Sequence, residues 1–197
     1  MSTQTPTAPV QVQPKTTQNN ETHSAHHHSH KGRRLNVVVT AFGPFMTITE
    51  NPSDYVRKHI ISQFEKKFAD TNIVLFDTNQ LPVEDDMVYE YLNALRTKIR
   101  AHQSMHSGEE FLIIHLGVNG GRDVLQVDLE RRAFNSKTFR GKNEWDGTCK
   151  DQIAEDQLYY SHTRTRVPIN EIYSRLKPKH PFLNVSDSAG RYLCNYI

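Results

Sequence analysis

The run Asn36-Val37-Val38-Val39-Thr40-Ala41-Phe42 constrains this chain more than any other feature. A strand with one wet face alternates apolar and polar residues. This one is β-branched and apolar on both faces, the pattern of a strand buried on both sides in a parallel sheet. Parallel neighbours need crossover connections, and the next segments supply them. Asn51-Pro52-Ser53-Asp54 reads as a helix start, with an N-cap Asn, Pro at the first helical position and an acid at the third. Val56, Ile60, Phe64 and Phe68 follow as one apolar stripe. Ile73-Val74-Leu75-Phe76 is the next strand, and Asp85-Asp86 open a second helix with Val88, Leu92, Leu95 and Ile99 on its buried face. Phe111-Leu112-Ile113-Ile114-His115-Leu116 is a third buried strand that ends at Gly117. This strand–helix alternation predicts an α/β fold, a three-layer α/β/α sandwich with a mostly parallel sheet.

Beyond Gly117 the pattern changes. Leu125, Val127 and Leu129 alternate with Gln126, Asp128 and Glu130, which predicts a strand with one polar face. Residues from Ser136 to about Arg164 are charged and aperiodic and read as a long surface excursion. Pro168, Ile172 and Leu176 suggest a short helix, and Phe182 to Ser186 a last short strand leading into Asp187-Ser188-Ala189-Gly190. At the other end, residues 1–34 have no hydrophobic period and are rich in Thr, Gln, Pro, Ser and His. Such a segment buries too little apolar area to offset its ordering entropy, so a disordered tail is expected, with the folded domain over 35–197. His23, His26, His27, His28 and His30 lie in it, but nothing there would hold them in the tetrahedral geometry of a structural zinc site.

Composition narrows the function classes. With 24 basic and 22 acidic residues, no strong field is directed at nucleic acid or anionic lipid. No apolar run approaches the roughly 18 residues of a membrane span. The N-terminus has no secretory apolar core, so the expected compartment is the cytoplasm. In a reducing compartment Cys149 and Cys194 read as thiols.

The segment richest in chemistry is Ser186-Asp187-Ser188-Ala189-Gly190-Arg191-Tyr192-Leu193-Cys194-Asn195. A strand runs into a small Gly-containing turn, and a Cys follows within a turn of helix. Backbone N–H groups at a helix start favour a thiolate, as a nucleophile requires, and can also hold an oxyanion. Buried core thiols are commoner than nucleophiles, and the residues by themselves leave both readings open.

The string Asp187-Ser-Ala-Gly-Arg-Tyr-Leu-Cys194-Asn resembles the nucleophile motif of pyroglutamyl peptidase I. Thr40-Ala-Phe-Gly-Pro-Phe45, Asn51-Pro-Ser, Leu81-Pro-Val-Glu84 and Leu116-Gly-Val-Asn-Gly-Gly121, followed by Leu129-Glu130-Arg131 and Asn135, match further family signatures in family order. The resemblance implies a cysteine exopeptidase that removes an N-terminal pyroglutamyl residue from peptides, without metal or cofactor. Cys194 would be the nucleophile and Glu130 the acid of a Cys-His-Glu triad, while Phe42 and Phe45 would line the pocket for the lactam ring. Aromatic walls suit that compact, uncharged ring. Without the resemblance, Phe42 and Phe45 read as core and Glu130 as a solvated carboxylate.

Several residues depart from the family pattern. Ala41 and Met46 replace glycines, and Arg122-Asp123 adds length before the Glu130 strand. The family's catalytic His is expected on a strand after the nucleophile, whereas the sequence stops at Ile197. His115, His162 and His180 lack that context. The expectation is therefore a domain missing its C-terminal strand and helix, with activity impaired or reduced to binding.

Overall fold

The structure, a computed structural model, describes residues 32–45, 47–119, 125–138, 150–151, 161–190 and 193–196. The His-rich stretch up to Lys31 lies outside the described residues, as do Cys149 and the pair Arg122-Asp123.

Strand β1 (Leu35–Phe42) is buried along almost its whole length and forms the centre of a three-stranded sheet. It pairs in parallel with β2 (Ile73–Leu81) on one side and β3 (Glu110–Leu116) on the other. Helix α1 (Pro52–Phe68) connects β1 to β2, and α2 (Asp85–Met105) carries the chain back to β3. The two crossovers run in opposite directions across the sheet. Right-handed connections therefore place their helices on opposite faces. The packing agrees: Phe64 of α1 packs with Val37 and Val39, whereas Val88 of α2 packs with Phe42 and Leu81. The expected three-layer α/β arrangement is present, with a register shift between Val37 and Val38 where β2 takes in the extra residue Phe76.

The helix start at Asn51 is built as its residue types require. The Asn51 side chain accepts from the Ser53 backbone N–H at 3.0 Å, and Pro52 occupies the first turn. The apolar stripe is narrower than the sequence suggests, since Val56 is 49% exposed. Four-residue steps advance about 40° each around a helix, so Val56 stands about 80° from Phe64 and passes off the buried face.

The second half is a set of small ladders. β4 (Val127–Glu130) pairs in parallel with β9 (Leu183–Ser186). Strand β5 (Arg132–Phe134) pairs antiparallel with β8 (His162–Arg164), and β6 (Lys137–Thr138) with β7 (Lys150–Asp151). Helices α3 (Ile169–Leu176) and α4 (Leu193–Tyr196) complete the described elements. Two sequence expectations change here. The surface excursion after Ser136 contains paired strands, and Asn135 and Ser136 at its root are buried. The alternation around β4 does not put its apolar residues inside: Leu125 and Val127 are exposed, while Asp128, Leu129 and Glu130 are all half-buried.

Candidate active site

The carboxyl ends of β1 and β3 and the short helix α4 converge on one place. Phe42 ends β1 and is 4% exposed, in a cluster with Leu81 and Val88. Leu193 and Cys194 of α4 pack on the same cluster. From the end of β3 comes Gly117, whose missing side chain is the reason the thiol fits: a Cβ there would stand 2.8 Å from Cys194 Sγ. A side chain at this position would displace the sulfur, so glycine is what lets the thiol lie here.

Glu130 ends β4, half-buried, with its Oε2 shielded from solvent. Its charge reaches the thiol. Burial pushes the Cys194 thiol above its ordinary range and Glu130 pushes it further, against the lowering effect of a backbone hydrogen bond within Cys194 itself. The expected activation by helix N–H groups is thus outweighed by desolvation.

The turn before α4 is tied to β4 and β5 by charge. Arg131 Nε donates to Asp187 Oδ1 at 3.1 Å while its terminal nitrogen donates to Asp187 Oδ2. Arg132 Nε lies 3.2 Å from Asp187 Oδ1. Hydrogen bonds from Arg131 hold the Asp187 carboxyl below its ordinary range. Planar fork-to-carboxylate pairing of this kind fixes direction as well as distance.

The predicted site residues are not all brought together. Phe42 and Cys194 share one cluster, and Glu130 couples to Cys194 electrostatically. Phe45 is outside that cluster, in the loop after β1, half-buried and exchanging backbone hydrogen bonds with Ile48. His115 lies on the α2 face of β3, where its Nδ1 bonds the Thr40 hydroxyl and its ring meets the Phe42 ring edge-on at 4.9 Å. His162 lies against Phe134, with ring centroids 5.8 Å apart. Among the described residues no imidazole is hydrogen-bonded to Cys194. No group of three or more potential metal ligands occurs among the described residues.

The family model for pyroglutamyl peptidase matches residues 35–197, which takes in every element from β1 to α4. The chain belongs to the pyroglutamyl peptidase family. It is 29% identical over 167 residues to the pyrrolidone-carboxylate peptidase of Bacillus subtilis (strain 168), over 83% of this chain and 68% of that protein. Among solved structures, the pyrrolidone carboxyl peptidase of Fervidobacterium islandicum AW-1 overlays with a TM-score of 0.63 at 28% identity, over 83% of this chain and 70% of that one. The pyroglutamyl peptidase I of Bacillus amyloliquefaciens gives a TM-score of 0.60 at 26% identity, covering 83% and 69%. Among its described residues, this pyroglutamyl peptidase family chain has no helix long and apolar enough to cross a membrane.

The sequence motifs did not single out two features of this candidate site. One is the Arg131–Asp187 fork, although both residues lay inside matched motifs. The other is the buried Asn195 amide, which bonds Phe134 and Ser136 backbone atoms. Its only sequence signal was an amide residue placed directly after the Cys.

Proposed function

We propose that Cys194 and Glu130 are two members of the catalytic triad of a cysteine omega-peptidase that hydrolyses the bond after an N-terminal pyroglutamyl residue. The observation that carries this reading is Cys194 Sγ seated against Gly117 and packed on the Phe42 cluster, within the field of Glu130. In the reaction, Sγ attacks the pyroglutamyl carbonyl carbon. The tetrahedral intermediate expels the amine of the next residue, which leaves with a proton, and water then hydrolyses the thioester to pyroglutamate and free thiol. Glu130 raises the energy of the thiolate, so it is the wrong group to deprotonate Cys194 directly. Its place in the chemistry is to orient and charge an imidazole between them. Phe42, in the cluster on which Cys194 packs, gives the lactam an apolar wall.

A second reading, binding without turnover, is favoured by the raised thiol, with no described imidazole hydrogen-bonded to Cys194. Release of a fluorophore from a pyroglutamyl amide separates the two. It should be measured on this chain and on a chimera that appends the part of the Bacillus subtilis relative following the match. Turnover by this chain supports the first reading, and turnover by the chimera alone supports the second. Cys194→Ala should abolish that turnover while Cys149→Ala leaves most of it. Equal loss from both substitutions would overturn the nucleophile assignment.

A further inference from the structure

Asn195 is 2% exposed, an unusual depth for a carboxamide, and both of its N–H donors and its carbonyl oxygen are engaged on one stretch of backbone. Its Oδ1 accepts from the Phe134 N–H at 2.7 Å, and its Nδ2 donates to the Phe134 carbonyl at 2.8 Å and to the Ser136 carbonyl at 2.8 Å. The side chain thus reads both backbone groups of one strand residue, as a neighbouring strand would, and adds a third bond. Three consecutive residues of α4 are held by three different parts of the fold. Leu193 packs into the Phe42–Leu81–Val88 cluster, Cys194 Sγ lies against Gly117, and Asn195 grips β5 and the residue before β6.

A helix of one turn has no stability of its own in water, because nucleation costs more than so few backbone bonds return. The position of Cys194 is therefore set by its two neighbours. Leu193 supplies non-directional burial, which tolerates sliding and rotation. Only Asn195 supplies bonds with defined angles. The strand it grips begins two residues after Glu130, so the same three bonds set the nucleophile relative to the acid-bearing segment.

We propose that Asn195 is a positioning residue that locks the Cys194 thiol against Gly117 and in register with Glu130, through the Phe134 and Ser136 backbone. The proposal rests on Cys194 being the nucleophile of the pyroglutamyl site.

The test follows Cys194 alkylation in the Cys149→Ala background, so that one thiol reports. Two reagents are compared across pH: iodoacetamide, and a pyroglutamyl chloromethyl ketone. In the parent the pyroglutamyl reagent should be preferred, and the iodoacetamide profile should lie above that of free cysteine, near ~8.5. In Asn195→Ala that preference should fall by about tenfold or more, because near-attack geometry is lost, and the profile should return to that of a free thiol. Phe68→Ala, a destabilised control on the α1 face of the sheet, should keep both properties.

A folded Asn195→Ala that retains preference and profile would overturn the proposal, as would an equal loss in Phe68→Ala. A parent without any preference would instead fail the nucleophile reading itself. Should Asn195→Ala show no cooperative melt, Asn195→Asp carries the same comparison, since it keeps the acceptor for Phe134 N–H but has no Nδ2 donors. If neither folds while Phe68→Ala does, Asn195 is a folding determinant and the positioning role is overturned.

Discussion

At Cys194 the same burial that seats the sulfur opposes its ionisation, and Glu130 adds to that opposition. Glu130→Gln should therefore move the Cys194 alkylation profile of this chain to lower pH. The same substitution should cut turnover roughly 100-fold or more wherever an imidazole completes the site. An unchanged profile in this chain would show that the carboxylate does not act on the thiol. His115 is another residue whose environment changes its titration. Burial pushes it from 6.5 down to about 4, so the native state holds it neutral. Between those values the unfolded chain binds a proton that the native chain does not. Stability from this group is full above about pH 6.5 and declines toward pH 4, by roughly 1.4 kcal/mol per unit. Denaturation series from pH 7 to pH 4 should show that slope, and His115→Gln should flatten it. Glu109 and Asp187, held low by hydrogen bonds from Asn36 and Arg131, lose their contribution further into acid, as pH falls through their depressed values.

Among the elements, α1 has a start that serves two purposes. Asn51 caps the helix through Oδ1, and its Nδ2 donates to the Gly43 carbonyl at 2.9 Å. Gly43 in turn donates its N–H to the Leu81 carbonyl at 2.8 Å, so the loop after β1 is fastened to both the helix and β2. Asn51→Ala should cost about 1–3 kcal/mol, the loss of a cap plus a buried bond. Asn51→Asp keeps the cap and should cost less. Urea denaturation of the two variants checks the order, and equal losses would mean that the Gly43 contact contributes nothing. The short strands behave differently from α1. β4 and β9 have four residues each and are held together by their ladder and by the Arg131–Asp187 fork at its end. The site is thus fastened to its weakest elements by its most directional bonds.

For the whole molecule, the described three-stranded sheet ends at β3, where Ile113 is 49% exposed. An apolar groove of about 330 Å³ runs along the α1 face, lined by Val37, Val39, Ile60, Phe64, Leu112 and Ile114. An apolar edge strand is a template for pairing with another chain. Concentration-dependent self-association is expected in size-exclusion chromatography with light scattering. Ile113→Lys should shift the distribution toward monomer, because a charge on an edge strand disfavours pairing. A chain that stays monomeric at every concentration would contradict this.

The sequence by itself determined the strands at Leu35, Ile73 and Glu110, the helices between them and the α/β layering. It also determined the family, through collinear motifs from Thr40 to Asn195. These are legible because a helix or strand repeats over a few residues, and because caps and prolines act on their immediate neighbours. Tertiary structure alone decided which residues of the β4 alternation are covered. A two-residue period specifies that faces differ, not which one meets the core. It also decided that Val56 leaves the stripe and that the segments around Ala133 and Thr163 pair, since neither has a periodic signal of its own. Phe42, Gly117, Glu130 and Cys194 are far apart along the chain, and the crossovers, the Leu193 packing and the Asn195 and Arg131 bonds bring them together. Those bonds depend on angles and on partners from other strands, which no local pattern encodes.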